Sequence, residues 1–209
     1  MIDELVKFFV VLLVVVEPLS LLPVLAGLTQ GADDSYRRHM SIKAVGISAT
    51  VCLVFALGGA WLLSLLGISV DAFKVGGGIL LFLLAVEMVF ARPSGVRSTT
   101  PREEAESHQR VDISVFPLAF PLIAGPGALA TILLAFAGVP YGSPQFFAQV
   151  AVIFVVLGIT LALMLVTGPV MRIVGVTGGA VLSRLLGVLL AALASQFVMD
   201  GIRGAMSVP

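Results

Sequence analysis

Two short segments carry the chemistry available to this chain. Glu17-Pro18-Leu19-Ser20 and Gly125-Pro126-Gly127-Ala128 each set a proline deep inside an apolar stretch, directly after a residue placed to cap a helix. Proline removes a backbone donor and clashes with the preceding turn, yet it suits the first position of a helix. Two readings stand: each proline is a kink satisfied by neighbouring helices, or each begins a new half-helix with Glu17 and Gly125 as N-cap residues. On the second reading the amides of Leu19 and Ser20, and of Gly127 and Ala128, have no acceptor in their own helix and point to the membrane centre. The helix dipole then makes an anion site there. Glu17 adds a carboxylate able to hold an ammonium or to exchange a proton. Acids inside a membrane are costly and count as functional candidates by default.

The remaining polar residues of the apolar stretches are fewer. Ser20, Thr131 and Gln196 suit a polar lining. Glu87 lies five residues before Arg92, so it either belongs to the site or reaches the interface. Asp71, Lys74 and Asp200 fall near the ends of apolar stretches and read as interfacial. Gly76, Gly77, Gly78 and Gly187 suit close helix packing. Cys52 is the sole cysteine and sits in an apolar stretch, so no intramolecular disulfide forms. His39 and His108 lie in polar segments with no metal-ligand spacing around them. No GxxxxGK[ST] segment is present, so the sequence offers no site for driving transport with ATP.

Composition dictates the kind of element that carries these residues. Of 209 residues 11% are charged, against roughly 25% in soluble domains. Hydrophobic residues reach 59% and the mean hydropathy is +1.13. A water-soluble chain of this size would lack the polar side chains to cover its surface. The expected class is therefore an all-α polytopic membrane protein. Zero net charge gives no reason to expect a nucleic-acid partner. Six spans are expected, at about Leu5 to Thr29, Met40 to Leu66, Phe73 to Ala91, Ile113 to Ala137, Phe146 to Met171 and Leu182 to Arg203. The first does not read as a signal peptide, because Asp3 and Glu4 stand where a basic segment belongs.

Charge asymmetry sets an expected orientation. The first, third and fifth connections hold nine of the 12 basic residues, and Lys7, Lys74 and Arg203 fall on the other side. That places both termini outside and the odd-numbered connections in the cytoplasm. The segment 92–112, rich in Pro, Ser and mixed charges, reads as a flexible cytoplasmic loop.

Shifted by 108 positions, the chain partly matches itself. Glu17-Pro18-Leu19-Ser20 falls on Gly125-Pro126-Gly127-Ala128, Phe8 on Phe116, and Gly67-Ile68-Ser69 on Gly175-Val176-Thr177. With one extra residue in the second half, Gly78 falls on Gly187 and Glu87 on Gln196. Residues 1–91 and 113–209 thus read as two repeats of three spans each. An odd number of spans inverts the second repeat relative to the first, as in many secondary transporters. Each repeat would break its first helix near mid-depth: Glu17 lies about 12 residues, or roughly 18 Å, into a core about 30 Å thick.

The segments Pro117-Leu118-Ala119-Phe120-Pro121-Leu122-Ile123-Ala124-Gly125-Pro126-Gly127, Val75-Gly76-Gly77-Gly78-Ile79-Leu80-Leu81-Phe82 and Ser183-Arg184-Leu185-Leu186-Gly187 resemble the MarC family of integral membrane proteins. The likeness runs over nearly the whole chain, Phe197 to Ile202 included. It implies a six-span bacterial or archaeal inner-membrane protein, grouped with LysE-type amino-acid exporters, some members being described as transporting small neutral amino acids. One departure stands out. The family usually has Asp-Pro or Asn-Pro in its first span, and glutamate here keeps the charge while adding a methylene.

Together these readings predict a secondary transporter, not an enzyme, for a small neutral amino acid or similar zwitterion. Gly127 and Ala128 would meet the carboxylate and Glu17 the ammonium, with Pro18, Leu19, Gly125 and Pro126 shaping the breaks. No cofactor is expected beyond a coupling proton or sodium ion, and no partner beyond lipid and solute. The rival readings are a channel-like pore, a membrane scaffold and an intramembrane enzyme. The sequence lacks the ring of like charges that suits a channel and the clustered nucleophile or metal that an enzyme needs.

Overall fold

A computed structural model describes residues 2–90 and 112–206. They are helical throughout their regular structure, with no strand among the described residues. In chain order the helices are α1 (Ile2–Val16), α2 (Pro18–Leu28), α3 (Asp34–Leu65), α4 (Val70–Phe90), α5 (Ser114–Ile123), α6 (Pro126–Phe136), α7 (Pro144–Leu165) and α8 (Thr167–Met206). Five stretches are long and apolar enough to cross a membrane: Ile2–Leu28, Asp34–Leu65, Val70–Phe90, Pro144–Leu165 and Thr177–Met206. The α5–α6 pair, bent by 54°, makes a sixth if it is taken as one broken span. The expected loop falls outside the described residues except for Asp112.

Apolar side chains occupy both the interior and the periphery. Leu12, Leu25, Leu81, Ile132 and Ile153 are buried, while Val54, Leu57, Trp61 and Leu65 form an exposed stripe at helical spacing along α3, Trp61 being 67% exposed. A helix apolar on all sides belongs in a bilayer, where the outer stripe meets lipid. The hydroxyls inside helices are satisfied locally. Ser48, Thr131, Thr160 and Ser195 each donate to the carbonyl four residues back.

The helices pair in a regular way. α3 packs on α7 and α4 on α8; α1 packs on α6 and α2 on α5; α1 packs on α7 and α3 on α5. α2 meets α7 as α3 meets α6, and α2 meets α8 as α4 meets α6. Exchanging α1–α4 with α5–α8 therefore maps this set onto itself. Smaller contacts, of α1 with α8 and of α7 with α6 and α8, lack a counterpart of similar extent. Single residues follow the same register. A Cβ on Gly78 would press on the Ala194 carbonyl (2.9 Å) and Val198, and one on Gly187 on the Ala85 carbonyl (3.1 Å) and Val89. Gly67 and Gly175, matched in sequence, are both left-handed, at φ 67° and 62°. Gly77 is also tightly packed, with Leu134 at 3.2 Å from a Cβ, but a Cβ on Gly76 would meet nothing within 4 Å, so the packing role expected there does not hold.

Three boundaries differ from the hydropathy reading. α3 starts at Asp34 instead of Met40, because the polar stretch ahead of the span is itself helical and Arg37 bonds both Asp34 and Thr29. The fifth expected span, α7, ends at Leu165 instead of Met171. Its stop is Val166, non-helical at φ −106°, ψ 27°, with the Thr167 hydroxyl donating to the Met164 carbonyl at 2.6 Å. The last helix begins at Thr167 and kinks at Gly175, so residues 167–174 lead into the span.

A charged tether joins the halves. Asp112 pairs with Lys43 of α3 and accepts from the Ser114 amide (2.9 Å) and hydroxyl (2.6 Å). Lys43, then Ser114, holds the carboxyl well below the usual carboxylate range. A depressed pKa contributes stability that is present above the unfolded value, near 3.9, and lost as pH falls toward the folded one. The tether should therefore be constant through neutral pH and weaken only in acid. Both side chains are more than a third exposed, so Asp112→Asn should lower stability by no more than about 1 kcal/mol, read by thermal unfolding in detergent.

Candidate functional site

The first break has an unusual backbone. Glu17 is left-handed, at φ 50° and ψ 61°, and is the single non-glycine residue at positive φ among those described. That conformation costs an L-residue roughly 1–2 kcal/mol. Glu17 is also 6% exposed, so an acid is held both strained and buried inside the span. Backbone strain of this kind gathers at ligand sites and switches. The break itself is mild. The Glu17 amide still donates to the Leu13 carbonyl (2.9 Å), and the Ser20 amide donates to the Glu17 carbonyl (3.1 Å). The expectation that the Ser20 amide lacks an acceptor is therefore corrected: a tight turn across Pro18 supplies one. Glu17 caps α2 through its backbone and makes no side-chain cap bond.

The second break is sharper. α5 is wound as a wide, π-type helix interrupted by extended residues Phe116 and Phe120, with cis bonds to Pro117 and Pro121. Gly125 is extended (φ −75°, ψ 174°), a conformation open to any residue. Space is what demands glycine here, since a Cβ would collide with the Pro121 carbonyl oxygen. The first amide of α6 to reach back is that of Leu129, to the Gly125 carbonyl at 3.0 Å. Those of Gly127 and Ala128 precede it and are among the amides a helix start leaves without an acceptor in its own ladder. Pro18 and Pro126 thus each begin a helix of 11 residues.

The start of α6 packs against the end of α1 and against α4. A Cβ on Gly127 would lie 3.0 Å from Val15, two residues before Glu17, and 3.0 Å from Leu84. Gly125, Pro126, Gly127 and Ala128 surround a void of about 10 Å³ with Val15, Leu84 and Pro121. That is about one water's worth of space. The seam is closed in this conformation.

Of the other candidates, Thr131 lies one turn beyond Gly127, is buried, and donates to the Gly127 carbonyl at 2.8 Å. Leu19 and Ser20 are half-buried on α2, and Glu87 is half-buried on α4. Gln196 of α8 donates to Asp200 at 2.7 Å, which engages its amide within its own helix. Among the described residues no cluster of His, Cys, Asp or Glu could hold a metal. Cys52 is buried and free.

Sequence reasoning missed a larger space. A cavity of about 440 Å³ opens at the end of the molecule that holds the start of α1. Glu4, Lys7, Gln145, Gln149 and Thr131 line it, with Phe8 and Phe197. Gln149 was legible as a lone amide in an apolar span, one turn from Gln145, but nothing local tied it to α1.

Broken helices, a buried strained acid and an apolar exterior define a multi-pass integral membrane protein with an irregular interior. The chain belongs to the MarC family: the pattern described as "MarC family integral membrane protein" matches residues 2–206. It is 35% identical to a UPF0056 membrane protein of Methanocaldococcus jannaschii over 92% of both chains. It is 31% identical to the UPF0056 inner membrane protein YhgN of Escherichia coli, over 96% of this chain and 97% of that one. A UPF0056 membrane protein of Pyrococcus abyssi is 32% identical over 98% of this chain and 99% of its own. No solved structure matches the chain.

Proposed function

We propose that the protein is a secondary transporter of small neutral amino acids, working by alternating access around a site between the two helix breaks. The observation that carries this reading is the pair of proline-initiated half-helices, 108 positions apart and equal in length, the second starting against Val15 of α1, two residues before the buried, left-handed Glu17. Irregular backbone at this depth persists only against protein or a polar cavity, and two breaks at matching positions, one beside a buried acid, favour the cavity. The helix pairings, which survive exchange of the halves, support two inverted repeats as the moving parts. The closed seam speaks against a standing pore. The expected placement of nine of the 12 basic residues in the odd-numbered connections favours both termini outside the cytoplasm of an inner-membrane protein. Glu17 is the candidate for exchanging a coupling proton, with sodium as the other ion.

The test is uptake of a labelled panel of neutral amino acids into proteoliposomes, with and without a proton or sodium gradient. A carrier gives flux that saturates with substrate. Flux linear in concentration would replace it with a channel, and no flux from folded protein with a scaffold.

A further inference from the structure

The cavity at the α1 end is wide, polar at specific points and continuous in register with the closed seam. Val11 and Thr131 line it, and one turn deeper on the same two helices, Val15 and Gly127 line the void at the break. At 1.5 Å per residue about 6 Å of α1–α6 contact separates the two spaces. The cavity's volume, about 440 Å³, falls in the range of small-molecule pockets.

Its polar groups are arranged by charge. Lys7 sits over the Phe197 ring, 5.0 Å from the centroid, and Glu4 accepts from Gln145 at 3.3 Å. One turn further along α7, Gln149 is 3% exposed. Its Nε2 donates to the Ala135 carbonyl at 3.1 Å, which fixes the amide so that Oε1 is the free end. Among the described residues Oε1 has no hydrogen-bond donor. Buried acceptors of this kind are rare unless a ligand or water completes them.

We propose that this cavity is a binding vestibule for a small zwitterion, whose carboxylate meets Lys7 and whose ammonium meets Glu4, reaching the covered Gln149 Oε1 when the lining side chains give way. The α1–α6 turn from Val11 and Thr131 to Val15 and Gly127 is the barrier between the vestibule and the seam. Passage of the bound solute across that barrier rests on the transporter reading, whereas binding in the vestibule does not.

Ala135 lines the cavity, so Ala135→Cys in a Cys52→Ala background reports on it. The protein is placed in nanodiscs and treated with a charged, membrane-impermeant thiol reagent, with lipid-facing Leu57→Cys as the control. The 135 cysteine should react and the 57 cysteine should not. L-Alanine should slow the reaction, whereas lactate and ethylamine, each carrying one half of the zwitterion, should not. Adding Lys7→Gln, or Gln149→Leu as a second variant, should weaken the protection by L-alanine roughly tenfold, as for loss of a charged hydrogen bond. An unreactive 135 cysteine overturns the vestibule. So does protection that is absent, or that both variants leave unchanged. Flux by the unaltered protein is measured separately: flux without protection removes the vestibule and keeps the carrier, and protection without flux does the reverse.

Discussion

Glu17→Gln should fold normally and lose substrate transport by roughly 10- to 100-fold, the kinetic equivalent of removing one charged hydrogen bond. The side chain is buried, and glutamine has the same length and shape. The left-handed backbone is unchanged, so stability should move little. What changes is the charge, which the proposed mechanism uses for the substrate ammonium or a coupling proton. The comparison to make is initial uptake rate against substrate concentration, beside thermal unfolding of the same preparation. Wild-type rates in the variant would remove Glu17 from the mechanism.

Gly127→Leu should have the second large effect, for a different physical reason. A Cβ at this position already lies within 3.0 Å of Val15 and Leu84 and 3.7 Å of Leu81, and the adjoining void holds about 10 Å³. A leucine must push α1 and α4 off α6, at a cost of about 1–3 kcal/mol. It would also cover the Gly127 and Ala128 amides offered to a carboxylate. Gly127→Ala needs only a few tenths of an ångström of give, so it should fold and separate packing from binding. Uptake should be abolished in the leucine variant and slowed in the alanine variant. A leucine variant that folds with unchanged substrate affinity would make the anion site at this break untenable.

The breaks were legible in the sequence because proline chemistry is local. Pro18 and Pro126 mark their half-helices without reference to the rest of the chain, and they stand at matching positions of the two repeats. Gly67 with Gly175 and Gly78 with Gly187 were legible for the same reason: a left-handed turn and a close helix contact each call for glycine. The stop at Val166 was hidden from hydropathy because apolar residues resume beyond it as far as Met171, although Thr167-Gly168-Pro169 directly after it carries a turn signal. The start of α3 was hidden for the opposite reason, polar residues forming a helix outside the apolar run. Nothing local showed that the Ser20 amide would find the Glu17 carbonyl, since that depends on the backbone angle at Glu17. The cavity was the least legible feature. Lys7, Thr131, Gln149 and Phe197 come from four helices, and only the packing brings them to one space.

Alternating access is read most plainly from counterflow. Proteoliposomes are loaded with unlabelled L-alanine and diluted into a trace of labelled L-alanine with no ion gradient. A carrier whose site faces one side at a time predicts a transient accumulation of label above equilibrium, abolished by Glu17→Gln. Label that only rises to equilibrium, at the same rate in loaded and empty vesicles, would rule alternating access out.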